Sequence, residues 1–327
     1  MKAADDSAKL PENSSAARRS PRLRQRVAWM YYVEEMTQSA IADALGIGRI
    51  TVVRLLAEAR AMNEVRITLS RDIAELSRLE IELQKRFDIP EAIVAPRSSV
   101  DADPRSVVAA ACAPYISDIL KPDMKIGVGW GRTLARTLGF IQDKQAPRLT
   151  VVSMLGGILR ARAANPAEFA SEFARAYMAE CYLIAAPAVV DSLATKRALI
   201  ERCGLKEVFD FAKNLDAVVL GVGSLTNSTA SFYGVVPDAE LEALRALGAV
   251  GELLYNFFDI DGHIINHPIN ECAMSIPLSS VRRAPIRMLV AGGEDKADAM
   301  IGAFQLLRPT TFVTDEIAAE ALLARRE

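Results

Sequence analysis

The stretch Gln38-Ser-Ala-Ile-Ala-Asp-Ala-Leu-Gly-Ile-Gly-Arg-Ile-Thr-Val-Val-Arg-Leu-Leu56 has helix-turn-helix form. Thr37, just ahead of it, suits a helix N-cap, where a side-chain oxygen accepts from a first-turn backbone N–H. Gly46 ends the short helix 38–45, since it has no Cβ to oppose the left-handed backbone of a helix end. Ala42 is small where two helices cross closely. Ile41, Leu45, Ile47, Val52 and Leu55 are the apolar positions that hold the unit to a preceding helix. That helix is expected to start near Pro21, with Leu23, Val27, Met30, Tyr31 and Met36 at helical spacing. The helix after the turn is expected from about Gly48 to Met62. The run at 65–69 alternates apolar and polar residues, as a half-buried strand does.

The helix after the turn is the one that enters a DNA major groove in such motifs, with its N-terminal residues against base edges. Arg49, Thr51 and Arg54 stand on its outer face. Arginine pairs bidentately with guanine, and threonine reaches a base edge or a thymine methyl. Gln38 and Ser39, opening helix 38–45, suit a phosphate. Arg60 and the arginines before Leu23 (Arg18, Arg19 and Arg22) add attraction independent of sequence. Two residues depart from the pattern. Gly48 stands where a capping side chain would be better, and Val53 puts an apolar side chain where a polar contact is wanted. The competing reading is an αα-hairpin of a larger helical domain with solvated arginines.

The charge distribution agrees with a nucleic-acid-binding front end. Residues 1–70 hold 11 Lys+Arg against 8 Asp+Glu, and the remainder 28 against 33. The 327 residues are 51% hydrophobic and 24% charged, which excludes a mainly disordered or collagen-like chain and allows two domains. No apolar run approaches the roughly 18–20 residues of a bilayer span. No secretory leader is evident, so the expected compartment is the cytoplasm, with no membrane partner. Cys112, Cys181, Cys203 and Cys272 are far apart, so buried reduced thiols are the plain expectation.

Residues 1–20 read as a flexible basic arm and 21–70 as the helix-turn-helix domain. Residues 71–89 read as a linker or oligomerisation helix. In the expected helix 72–87, Ile73, Leu76, Leu79, Leu83 and Phe87 form one stripe that either docks on the body or pairs with a copy of itself. From 90 to 327, β-rich runs alternate with helical stretches, at 92–95, 125–129, 149–155, 182–185, 217–222, 286–291 and 311–313. Such alternation argues for a three-layer α/β effector domain with a largely parallel sheet.

In the body, Gly127-x-Gly129-x-Gly131-Arg132-Thr133 follows an apolar run and opens a helix. Gly129 and Gly131 let backbone approach a ligand, Thr133 adds a hydroxyl and Arg132 a charge-assisted contact. A dinucleotide fingerprint fits poorly, because Arg132 stands where its third glycine belongs and no acidic residue follows at the expected distance. A purely structural turn remains the other reading.

The segment from Met30 to Leu69 resembles the N-terminal domain of the SorC family of bacterial sugar-responsive transcriptional regulators. Gly127–Leu134, Ser153-Met-Leu-Gly-Gly157, Asp216–Leu225, Ala291-Gly-Gly-Glu-Asp-Lys296 and Thr314-Asp-Glu316 extend the likeness over nearly all the chain after Pro21. The resemblance implies a small all-α, winged helix-turn-helix domain and a body like the sugar-phosphate isomerase/deaminase fold. In that body the glycine loop would hold the phosphate end of a small sugar derivative. Asp259 and Asp261 would accept from its hydroxyls, His263 would wall the pocket and Lys296 would approach from the other side. Asp-x-Asp-Gly is equally an ordinary turn, and Lys296 a solvated first-turn lysine.

The expectation is therefore an effector-responsive regulator and not an enzyme. Its partners are operator DNA, a small sugar, polyol or sugar phosphate, and further copies of itself as a homodimer or homotetramer. No cofactor is expected. No metal is expected either, since Gly262 and Pro268 flank His263 and His267 and disfavour a helical ligand pair. The alternative is a sugar-phosphate isomerase or deaminase using Asp259, Asp261 and Lys296 for proton transfer.

Overall fold

A computed structural model of the chain describes residues 21–65, 74–97, 102–141, 146–158, 165–225 and 234–325. The chain divides into two compact units, Met1–Ile67 and Thr68–Glu327.

In the first unit, α1 (Pro21–Tyr32), α2 (Gln38–Leu45) and α3 (Arg49–Ala61) surround a small core. Val27, Ile41, Val52 and Ala59 are fully buried there, and burying a valine or isoleucine contributes about 1.5–3 kcal/mol. Leu45 and Ile47 pack against its margin. The Thr37 hydroxyl accepts from Ala40 N at 3.2 Å, and Gly46 has φ of +61°. Gly48 precedes α3 without a side-chain cap. The Arg24 guanidinium donates two 2.6 Å hydrogen bonds to the Glu64 carboxylate, which ties α1 to the segment after α3. Most of the expected strand at 65–69 and the arm at 1–20 lie outside the described residues.

The described residues of the second unit form ten strands: β1 (Glu91–Ala95), β2 (Lys125–Val128), β3 (Thr150–Ser153), β4 (Glu180–Tyr182), β5 (Ala217–Gly221), β6 (Gly223–Ser224), β7 (Gly251–Leu253), β8 (Asn256–Phe258), β9 (Ile286–Val290) and β10 (Thr311–Asp315). Seven of them form one all-parallel sheet in the order β1-β10-β9-β5-β2-β3-β4. These are the seven β-rich runs expected from sequence, with β4 displaced toward its N-terminal side. Side chains alternate between two buried layers: Val218 and Leu220 of β5 join one, Ala217 and Val219 the other. Helices on both faces complete the three layers.

Strand order reverses between β2 and β5. From β2 the chain moves outward through β3 and β4, and from β5 it moves the other way through β9 and β10. The crevice beyond the C-terminal ends of the strands at such a reversal is where open α/β sheets bind ligands.

The helix α4 (Ala74–Phe87) packs in the second unit. Leu76, Leu79 and Leu83 are buried in the body's core, and the Glu80 carboxylate accepts from Val94 N at 2.9 Å. Of the two uses its stripe allowed, docking on the body is the one found. Leu79 is therefore a core residue, and a charged side chain there would cost folding stability.

No apolar run or period foreshadows a second sheet. Strands β6, β7 and β8 form a three-stranded antiparallel unit. The β7–β8 hairpin turns on Leu254 and Tyr255, whose φ values are +55° and +57°. A two-residue turn of this hand normally uses Asn-Gly or Gly-Gly, so two bulky residues hold a costly backbone here. Asn256 supports it, its side-chain amide donating to the Leu253 and Leu254 carbonyls at 3.1 and 3.0 Å.

The cysteines are only partly buried as a group: Cys112 is buried, Cys181 and Cys272 are half-buried and Cys203 is exposed. None of the four is in a disulfide. Burial pushes the Cys112 thiol well above its ordinary pKa.

Candidate effector pocket and nucleic-acid interface

At the reversal point a hollow is lined by Arg105, Trp130, Gly131, Arg132, Thr133, Leu134, Gly221, Val222, Gly223, Glu252, Val290 and Lys296. Gly131, with φ of +128°, turns the chain from β2 into α6 (Arg132–Thr137). The first turn of α6 thus faces the hollow. N–H groups of a helix's first turn have no intrahelical acceptor.

Three cationic side chains line this hollow. Arg105, near the start of α5 (Pro104–Ile119), is held by two hydrogen bonds of 2.7 and 2.8 Å to Asp103. Burial opposes ionisation of that carboxyl, but hydrogen bonds from Arg105 and Arg136 keep it well below the usual range. Lys296 is half-buried in the hollow. Burial, together with the nearby Arg132 and Arg105, holds its ammonium below the ordinary lysine value, against the pull of Asp295 and Glu252.

Glu252 is the pocket's buried acid, on β7. One of its carboxylate oxygens accepts from Tyr255 N at 2.9 Å, and the other lies against the Gly223 α-carbon, where a Cβ would come within 2.4 Å of it. Burial pushes the carboxyl up to about 7, although the Tyr255 amide and the Lys296 charge oppose the rise. The strained turn thus orients this acid: Tyr255 donates to it, and the Tyr255 ring lies 5.4 Å from that of Trp130.

The segment before Lys296 is fixed from behind. Asp315 is fully buried and accepts from Gly293 N at 2.7 Å, Ala318 N at 3.3 Å and the Arg97 guanidinium at 3.2 Å. Gly292 has no room for a side chain, since a Cβ there would sit 2.6 Å from the Asp315 carboxylate.

Of the expected pocket residues, the structure brings together Gly131, Arg132, Thr133 and Lys296. Gly129 does not line the hollow; it serves the close approach of β5, where a Cβ would press on Leu220 at 2.9 Å. Asp259, Asp261 and His263 do not line it either. The Asp259 carboxylate accepts from Asp261 N and His263 N at 3.0 and 2.8 Å, so this is the ordinary turn. It packs on residues 302–306 of the helix Ala297–Leu307, whose opposite end adjoins Lys296, about 9 Å away along the axis. Ligand atoms of the three side chains lie within 4.8 Å of one another on this exposed turn. His267 is occupied otherwise: its Nδ1 accepts from Ile269 N at 3.4 Å and its Nε2 lies 3.2 Å from Glu240.

Arg105, Trp130, Gly221, Gly223 and Glu252 were not legible as pocket residues. For two of them a signal existed, because Gly221-Val-Gly223 stands at the end of an apolar strand much as Gly127-Val-Gly129 does. Glu252 had none.

On the first unit, Gln38, Ser39 and Arg49 line a common shallow surface with Tyr31, Glu35, Met36 and Thr37. Arg49, Arg54 and Arg60 are exposed on α3, and Thr51 is half-buried. Arg54 donates to Glu58 at 2.7 Å, an intrahelical pair of the exposed kind. Val53 and Ile50 are exposed beside these arginines.

A helix-turn-helix with a cationic outer face, joined to an α/β body with a cation-lined hollow at its strand reversal, defines an effector-responsive DNA-binding regulator. The Sugar-bind family, described as "Putative sugar-binding domain", matches residues 71–324. The erythritol catabolism regulatory protein EryD of Brucella abortus is 30% identical over 305 residues, covering 92% of this chain and 96% of that one. The transcriptional regulator LsrR of Escherichia coli K12 is 29% identical over 310 residues, covering 91% and 93%. The crystal structure of the full-length sorbitol operon regulator SorC from Klebsiella pneumoniae matches with a TM-score of 0.69 and 28% identity, covering 92% of this chain and 98% of that one. The chain belongs to the SorC family of bacterial sugar-responsive transcriptional regulators. It is a regulator and not an enzyme, and Asp259 and Asp261, which the enzymatic alternative paired with Lys296, are not placed with it. Among the described residues no helix is long and apolar enough to cross a membrane.

Proposed function

We propose that this regulator binds operator DNA through α3 and the start of α2, in the cytoplasm, as a homodimer or homotetramer. Gln38 and Ser39 hold phosphate, Arg49, Thr51 and Arg54 reach base edges, and Arg60 adds attraction to the backbone. The hollow at the β2–β5 reversal takes a small sugar derivative or polyol, with Gly131, Arg132, Thr133, Arg105 and Lys296 on its anionic or most polar end. Glu252 accepts from, or when protonated donates to, a hydroxyl. The observation that supports this most is the convergence of three cations and one buried acid where the sheet reverses. That donor set favours the phosphorylated members of the class. The names of the relatives, erythritol and sorbitol, direct attention to short polyols and to a carbohydrate catabolic operon.

Binding must favour one arrangement of the assembly, because equal affinity for two arrangements moves neither. The test is a thermal-shift screen of the full chain against sugars, polyols and their phosphates, repeated on Lys296→Ala and Thr133→Val. Stabilisation by one compound, lost in both variants, supports the site; stabilisation that survives both removes it. For the DNA face, Arg49→Ala is expected to weaken operator binding by about 1–3 kcal/mol in a gel shift.

A further inference from the structure

Every other large apolar side chain of α3 has a place in the core. Val52, Leu55 and Leu56 are at most 3% exposed. Ile50 is 85% exposed and Val53 46%, the first being the most exposed large apolar side chain among the described residues. Three positions apart on a helix, they are neighbours on one face. Helix formation gives no reason for them, since β-branched residues are mediocre helix formers. Arg49 and Arg54 adjoin them on the same exposed side, and Arg60 continues it one to two turns on. A surface that is apolar at two points and cationic around them is complementary to a polyanion with apolar groups set between its charges. The major groove is such a surface: the thymine C5 methyl is the apolar group displayed on its floor, between two rows of phosphates.

We propose that Ile50 and Val53 are specificity-determining residues that read thymine methyl groups. The arginines supply affinity and guanine contacts, while the two β-branched side chains select for thymine at particular positions. Cytosine offers no methyl, and uracil differs from thymine by that methyl alone. The proposal rests on α3 being the recognition helix, and the experiment separates the two.

A binding sequence is first recovered by selection from random double-stranded DNA on the full-length protein. Each thymine is then replaced singly by uracil, which removes one methyl and leaves base pairing and charge unchanged. Burying one methyl-sized group predicts about a fourfold loss of affinity at the read positions. At one or more of these the loss disappears in Ile50→Ala or Val53→Ala, each variant silencing its own position. Both residues are exposed, and circular dichroism checks that the variants keep the fold. If Arg49→Ala weakens binding but no uracil substitution does, or if the uracil losses persist in both variants, methyl readout by these side chains is overturned and the recognition helix stands. If Arg49→Ala, Arg54→Ala, Ile50→Ala and Val53→Ala all bind like wild type, the recognition face itself falls and the inference with it.

Discussion

The chain carries arginine and lysine at two places for two purposes. On α3 the cations are exposed, on long side chains, and one of them shares its charge with Glu58. In the body they line a hollow, where Lys296 and Glu252 both titrate away from their ordinary values because burial disfavours their charged forms. The outer face suits a large polyanion, since contacts with phosphates gain from counterion release and tolerate adjustment. The hollow suits one small molecule, because its groups are fixed before the ligand arrives and electrostatic interactions strengthen in a less polar surrounding. Rigidity separates the two sites as much as charge does.

That contrast is open to attack, most severely at the support behind the pocket. Asp315→Asn removes the charge that Arg97 and the Gly293 amide both face. Breaking a buried pair of this kind costs about 3–5 kcal/mol, expected as a lower denaturation midpoint in urea. Introducing Arg97→Met as well should recover part of the loss.

Glu252 gives the next largest effect. Its carboxyl titrates at about 7 in the folded chain, above the ordinary value of 4.5. Between these pH values the folded chain keeps a proton that the unfolded chain releases, so stability declines as pH rises through that window, by about 3 kcal/mol. Glu252→Gln should flatten the profile. A profile from pH 4.5 to 7.5 that is the same in both proteins would show that the acid is not held as described.

A side chain at Gly131 must adopt a backbone that L-residues rarely enter. Gly131→Leu is expected to cost about 1–3 kcal/mol at the loop, which weakens effector binding by roughly 5- to 150-fold while operator binding stays intact. Parallel titrations with effector and with DNA check this.

The smallest effect belongs to the outer face. Glu58→Ala releases Arg54 and removes a negative charge from α3. Folding should change by no more than about 0.5 kcal/mol, and DNA should bind slightly tighter, with the gain shrinking as salt is raised.

The helix-turn-helix was legible because each of its features is local. Thr37, Ala42 and Gly46 act within a few residues of themselves, and the apolar spacing of Val52 and Leu55 states which side of α3 is buried. The seven parallel strands were legible as continuous apolar runs, which is how strands covered on both faces read. The glycine loop was legible at the end of such a run, whereas Lys296 was expected from the family resemblance alone. Strands β6, β7 and β8 span two or three residues each, too few for any period to show, and the turn at Leu254 and Tyr255 lacks the usual turn residues. With that sheet went Glu252. The Asp259–His263 segment lies apart from the hollow: its residue types suit sugar hydroxyls, but the amides of Asp261 and His263 already occupy the Asp259 carboxylate.

Sequence alone determined that a DNA-reading helical unit precedes a parallel α/β body, and it placed one wall of the pocket, because capping, periodicity and glycine turns act between near neighbours. Only the tertiary structure decided which distant residues complete that wall. Arg105, Gly223 and Glu252 come from three separate segments, and what joins them is the order of strands in the sheet and the burial that follows from it.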